Sequence, residues 1–228
     1  MQRITDYSFL FQNMGGMRGR YKNGPIQVSQ LSSKSVQAQL KAAGINTNSK
    51  QYKAVVSAMT QATGGKVMYT NIQAIKNQMK QYDKDGDYIC PVTGLAGLLV
   101  TDQNRAEKNK IISIPESSRQ EMFDLTKKEF LRENGVANGD RTNRSDVYTH
   151  LYRKMNKKDR LAAGHTLEQY ERAYKQAFVE AAKQADPSWR VGKPIPARAL
   201  DGITRESVES MLVESGSSLV RKSMDISI

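Results

Sequence analysis

Three carboxylates at alternate positions are the residues in this chain best placed to do chemistry. Asp83, Asp85 and Asp87 lie in Tyr82-Asp83-Lys84-Asp85-Gly86-Asp87-Tyr88, directly after a segment with helical spacing. Helix-loop-helix calcium sites begin this way, with ligands at loop positions 1, 3 and 5, glycine at 6 and a bidentate glutamate at 12. Counted from Asp83, position 6 is Tyr88 and position 12 is Gly94. Tyrosine suits a positive-φ position poorly, and glycine has no carboxylate to close the coordination sphere. Pro91 also interrupts any exiting helix. The favoured reading is a polar turn in which Asp85-Gly86 reverses the chain and the aspartates accept local amides. The alternative is a weak Ca²⁺ loop with Kd on the order of 10⁻⁴–10⁻³ M.

A second candidate is basic. Arg141, Arg144, Arg153, Lys154, Lys157, Lys158 and Arg160 face only Asp146 and Asp159 in the same stretch. Long cations on a protruding helix face suit phosphate or carboxylate partners, which makes nucleic acid or an acidic protein the expected partner. Tyr148 and Tyr152 would stack bases if exposed, but their spacing with Val147 and Leu151 places them in a core. A solvated basic face with no partner is the plainer alternative.

Nucleophile chemistry has little support. Cys90 is the sole cysteine, and only His150 or His165 could serve it as a base. No sequence signature surrounds Cys90, and no GxSxG, Walker A, GxGxxG or HExxH pattern occurs. One cysteine also excludes an internal disulfide and a cysteine-based zinc site.

The elements that must position these residues read as mainly α: an irregular multi-helix protein with at most a small β-hairpin. Residues 1–30 form an irregular arm around Phe9-Leu10-Phe11, with turn chemistry from Met14 to Pro25. Residues 31–100 carry short helices: one capped by Ser33 or Ser35, one by Asn48 or Ser49 and ended at Gly64-Gly65, one started by Thr70 or Asn71. Asp83 to Asn109 reads as loop with a possible short hairpin, and 101–110 is polar enough to be a connector. Residues 111–216 carry longer helices. Ile111-Ile112-Ser113-Ile114 reads as a short strand. Pro115 opens a helix buried through Met122, Phe123, Leu125, Phe130 and Leu131 and stopped by Gly135. Ser145 caps the next, with Val147, Tyr148, Leu151, Tyr152 and Met155 in one stripe. After Gly164, Thr166-Leu167-Glu168-Gln169 has capping-box spacing and opens a helix to Asp186-Pro187. A last helix spans about Arg205 to Glu214, closed by Gly216, with a frayed tail over 217–228.

Composition sets the outer limits. At 228 residues the chain is long enough to bury a core. Its 35 Lys+Arg against 23 Asp+Glu give a net charge of +12, which favours acidic partners without setting specificity. The longest apolar run, Leu95 to Val100, is too short to span a bilayer. With no secretory signal pattern at the amino terminus the expected compartment is cytoplasmic, signal-independent export aside.

The chain, particularly Thr5-Asp6-Tyr7-Ser8-Phe9-Leu10-Phe11-Gln12, the Asp83 to Gly94 loop and Ile114-Pro115-Glu116-Ser117-Ser118, resembles an uncharacterised bacterial protein family. The resemblance implies a bacterial or prophage origin and no particular activity. The expected function is a non-enzymatic binding or assembly protein with a basic helical surface. A weak calcium-binding helix-loop protein, or a Cys90-dependent enzyme, is the alternative.

Overall fold

The computed structural model describes residues 25–222 apart from 65, 103 and 135–143. The arm around Phe9 and Phe11, the Gly135 helix stop and the Asn138-Gly139-Asp140 loop lie outside the described residues. The chain is mainly α, with eight helices and two small antiparallel pairs among the described residues. It divides into two compact units, Met1–Leu99 and Val100–Ile228.

The first unit gathers three helices on a small core. Ser33 caps α1 (Lys34–Ala42), Ser49 caps α2 (Lys50–Thr63) and Asn71 caps α3 (Ile72–Met79), each side chain accepting an amide of the first turn. Gly64 ends α2 at φ +51, the left-handed conformation that removes the Cβ penalty. Val36, Leu40, Tyr52, Val55, Met59 and Ile75 meet beneath these caps. Ile26 and Val28 join them from the amino-terminal side, where β1 (Ile26–Gln27) pairs antiparallel with β2 (Tyr69–Thr70). The Tyr52 hydroxyl donates to the Leu31 carbonyl (3.2 Å) and accepts from Gln37 (2.9 Å), and burial raises its pKa.

The second unit is built on α5 (Glu116–Glu133), α6 (Arg144–Lys154) and α7 (Arg160–Ala185). Phe123 packs edge-on to Tyr174 (ring centroids 5.2 Å) and Phe130 lies against Phe178 (5.6 Å), so α5 and α7 run in the same direction. Tyr148 reaches Glu171 on α7 (3.4 Å) while Tyr152 abuts Gly164, so α6 runs antiparallel to α7. Phe123, Phe130, Leu151, Tyr174 and Phe178 are all buried, as their helical spacing predicts.

Several local expectations fail, each for a physical reason. α7 starts at Arg160 and runs through Gly164, so Thr166 lies inside it and caps nothing. Its Oγ1 donates to the Ala162 carbonyl (2.8 Å) and accepts from the Ile112 amide (3.1 Å). Ile111 to Ile114, expected as a short strand, pairs with no strand among the described residues, and its Ile112 amide is answered by the Thr166 side chain. The connector 101–110 contains a one-turn helix, α4 (Arg105–Lys108). Pro115 is the N-cap of α5, not its first residue, and Thr126 and Glu129 are buried where Leu125 and Leu131 are only half-buried. α6 begins at Arg144, which puts Ser145 in the first turn and not at the cap. The last helix, α8, covers only Arg205–Glu209, where Thr204 and Ser207 form a reciprocal capping box. The chain then turns back as β3 (Leu212–Ser215) and β4 (Ser218–Arg221), so the tail from Ser217 is paired, not frayed, as far as Arg221. Gly216, at φ +60, serves the hairpin turn.

Candidate functional site

The acidic turn is held by its own first aspartate. The amides of Asp85 (3.0 Å) and Asp87 (2.9 Å) donate to Asp83 Oδ1, and the Gly86 amide donates to the Asp83 carbonyl (3.0 Å). The Asp83 amide donates to the Asp87 carbonyl (2.9 Å), closing the reversal. Gly86 adopts φ +86, and a Cβ there would lie 2.9 Å from the Lys50 carbonyl oxygen at the start of α2. Gln51 of the same helix donates to the Tyr82 carbonyl (2.8 Å), fixing the turn against it. Among the described residues, no group of three or more His, Cys, Asp or Glu side chains is arranged to hold a metal ion.

Cys90 sits in the next reversal, half-buried, with its amide on the Leu95 carbonyl (3.0 Å) and its carbonyl accepting from Gly94 (2.8 Å). Burial disfavours its thiolate, but hydrogen bonds from the Thr93 hydroxyl and from the Thr93 and Val92 amides outweigh this and lower its pKa. His150 bonds Glu121 (2.9 Å) and His165 bonds the Ser217 carbonyl (2.7 Å), both inside the second unit.

The basic residues divide by element. Arg141 lies outside the described residues, and Arg144 is the first residue of α6. Arg153 and Lys154 end α6, both exposed. Lys157 and Lys158 lie in a 3₁₀ turn, Lys157–Asp159, that leads into α7. Arg160 is half-buried, its Nε donating to the Tyr152 carbonyl (3.1 Å), which ties the turn back to α6. Arg153, Lys154 and Lys158 make no ion pair among the described residues. Tyr148 and Tyr152 are 7% and 4% exposed and lie tilted against one another (ring centroids 5.9 Å), so they offer no platform for bases.

The densest charged cluster escaped the sequence reading. Arg205, 4% exposed, donates to Glu209 (2.7 Å), Glu116 (2.6 Å), Glu206 (2.6 Å) and Gln120 (3.0 Å). Glu209 also accepts from Arg119 Nε (3.1 Å to each oxygen) and from the Tyr174 hydroxyl (2.5 Å). Arg119 lies over the Tyr170 ring at 5.5 Å and donates to the Ile114 carbonyl (2.6 Å). Burial works against the Arg205 charge, but the carboxylates of Glu209, Glu206 and Glu116 outweigh it and raise its pKa. Burial, with donation to Glu209, drives the Tyr174 phenol far above its ordinary value. Each Glu209 oxygen already receives two protein donors, so the cluster clamps α5, α7 and α8 together and leaves no lone pair for a substrate. The only local hints in sequence are the Arg205–Glu209 spacing of four and the Thr204-x-x-Ser207 cap.

The described residues thus define a helical protein with a saturated internal ion network, a closed acidic turn and an open cationic edge. The chain belongs to the family described as a domain of unknown function, DUF3879, whose model matches residues 45–228. No curated protein and no solved structure matches it. No helix among the described residues is long and apolar enough to cross a membrane.

Proposed function

We propose that this chain is a non-enzymatic binding or assembly protein whose cationic edge, at the junction of α6 and α7, contacts a polyanion. The observation that supports this is the exposed set Arg153, Lys154 and Lys158, which no carboxylate neutralises among the described residues. With Tyr148 and Tyr152 buried, the contact works by charge alone, on a phosphate backbone and without base stacking. An acidic protein surface offers the same charge and is the competing partner.

Fluorescence anisotropy with a labelled DNA duplex tests the reading. Three phosphate contacts predict a slope of log K against log salt near −2.7, from about −0.9 per contact. The triple variant Arg153→Ala/Lys154→Ala/Lys158→Ala should flatten that slope and leave the fold intact. Poly-glutamate in place of duplex reports on the acidic-protein alternative. Failure of both probes to bind at low salt would overturn the proposal.

A further inference from the structure

A second cationic element closes the other end of the helical bundle, where α5 and α7 finish. The segment from Pro187 to Leu200 carries Arg190, Lys193 and Arg198 and is flanked by Asp186 and Asp201, Asp186 lying near enough to Lys193 to feel its charge. Trp189, the sole tryptophan, is 2% exposed, packs on Phe130 (5.9 Å) and donates its indole N–H to the Lys193 carbonyl (3.1 Å). Asn134, 1% exposed, accepts from the Gly192 amide (2.7 Å) and donates to the Phe130 carbonyl (2.7 Å). The Lys193 amide donates to the Arg190 carbonyl (3.0 Å), and Gly192 takes φ +92, as the third residue of a type II turn requires. The second residue of that turn, Val191, is left 69% exposed.

One exposed valine on a surface needs no explanation. Here, however, a buried asparagine and the tryptophan both bond the backbone of the turn that carries it, so the apex is fixed before any partner arrives. We propose that this turn is a contact element for an anionic lipid surface, Val191 entering the headgroup boundary while Arg190 and Lys193 meet lipid phosphates. A convex apolar apex between two cations fits a soft anionic interface. A nucleic-acid backbone would use the cations and leave Val191 without a role, and a protein partner would have to supply a matching pocket.

Co-sedimentation of the full chain with vesicles tests this, using phosphatidylserine and phosphatidylcholine in equal parts against phosphatidylcholine alone. Binding should require phosphatidylserine. Each cation near an anionic surface is worth roughly fivefold in partitioning, so Arg190→Gln/Lys193→Gln should lower it about 25-fold. Val191→Asn should also weaken binding, and Val191→Leu, which enlarges the apex, should tighten it. Trp189 emission checks that each variant keeps the turn. Arg153→Ala/Lys154→Ala/Lys158→Ala should still bind vesicles, which separates this site from the one on α6. Three results would overturn the proposal: no binding to phosphatidylserine vesicles, binding indifferent to Val191 and to the two cations, or loss confined to the α6 variant.

Discussion

Gly164→Ala, in the second turn of α7, sets two known effects against each other at one buried position. Replacing an interior helical glycine by alanine is worth about 1 kcal/mol of added helix stability. The added Cβ, however, would lie 2.5 Å from the Tyr152 hydroxyl oxygen, with the ring carbons at 3.4 and 3.5 Å. Tyr152 is 4% exposed and held between α6 and α7, so it has little room to yield. Overpacking of this kind costs about 1–3 kcal/mol, which leaves a net loss of roughly 0–2 kcal/mol in the wild-type background. Removing the hydroxyl reverses the sign. In Tyr152→Phe the nearest atom is the ring carbon at 3.4 Å, an ordinary contact, and the helix gain of about 1 kcal/mol remains. The double-mutant cycle should therefore show a coupling of about 1–3 kcal/mol. Urea unfolding followed by Trp189 fluorescence measures it, since the sole tryptophan is buried in the unit that carries both residues. Gly164→Ala stabilising both backgrounds equally would refute the close approach of Tyr152 to α7.

Phe178→Ala removes the ring shared by Phe123 and Phe130 and should cost about 3–5 kcal/mol in the same assay, whereas a loss below about 1 kcal/mol would place Phe178 outside the core. Cys90 should be alkylated by iodoacetamide at lower pH than an ordinary thiol, because a lowered pKa keeps the reactive thiolate present there; Thr93→Ala should move that profile upward, and an unmoved profile would remove Thr93 as the cause. Hydrogen bonding to its own amide, with Arg205 nearby, lowers the Glu206 pKa, and the Ser188 hydroxyl and amide do the same for Asp186. A depressed carboxylate contributes stability above its unfolded pKa and loses it as pH falls through the folded value. The urea midpoint should therefore hold from pH 7 to about 5 and decline below about 4, less steeply in Glu206→Gln/Asp186→Asn.

Local chemistry was legible from the chain alone because caps and helical faces are set within a few residues. Ser33, Ser49 and Asn71, each one of the two cap candidates offered at its position, cap the first three helices, and Tyr174 and Phe178 are buried on the face that 3.6-residue periodicity gives them. The defects at Tyr88 and Gly94 were equally visible, and the acidic turn does close on its own amides. Tertiary structure decided where one residue type has two uses. Gly164 reads as lying ahead of a helix, yet it is inside α7, at the place where Tyr152 approaches it. Gly216 reads as a C-cap, yet it turns a hairpin, in which Leu212 to Ser215 pairs with Ser218 to Arg221 and Arg221 bonds Glu180 on α7. The Arg205 network joins residues about ninety positions apart, as in Arg119 to Glu209, and no local pattern encodes a bond across that separation. The Trp189–Asn134 lock likewise exists only because parallel packing of α5 and α7 brings their carboxyl ends together.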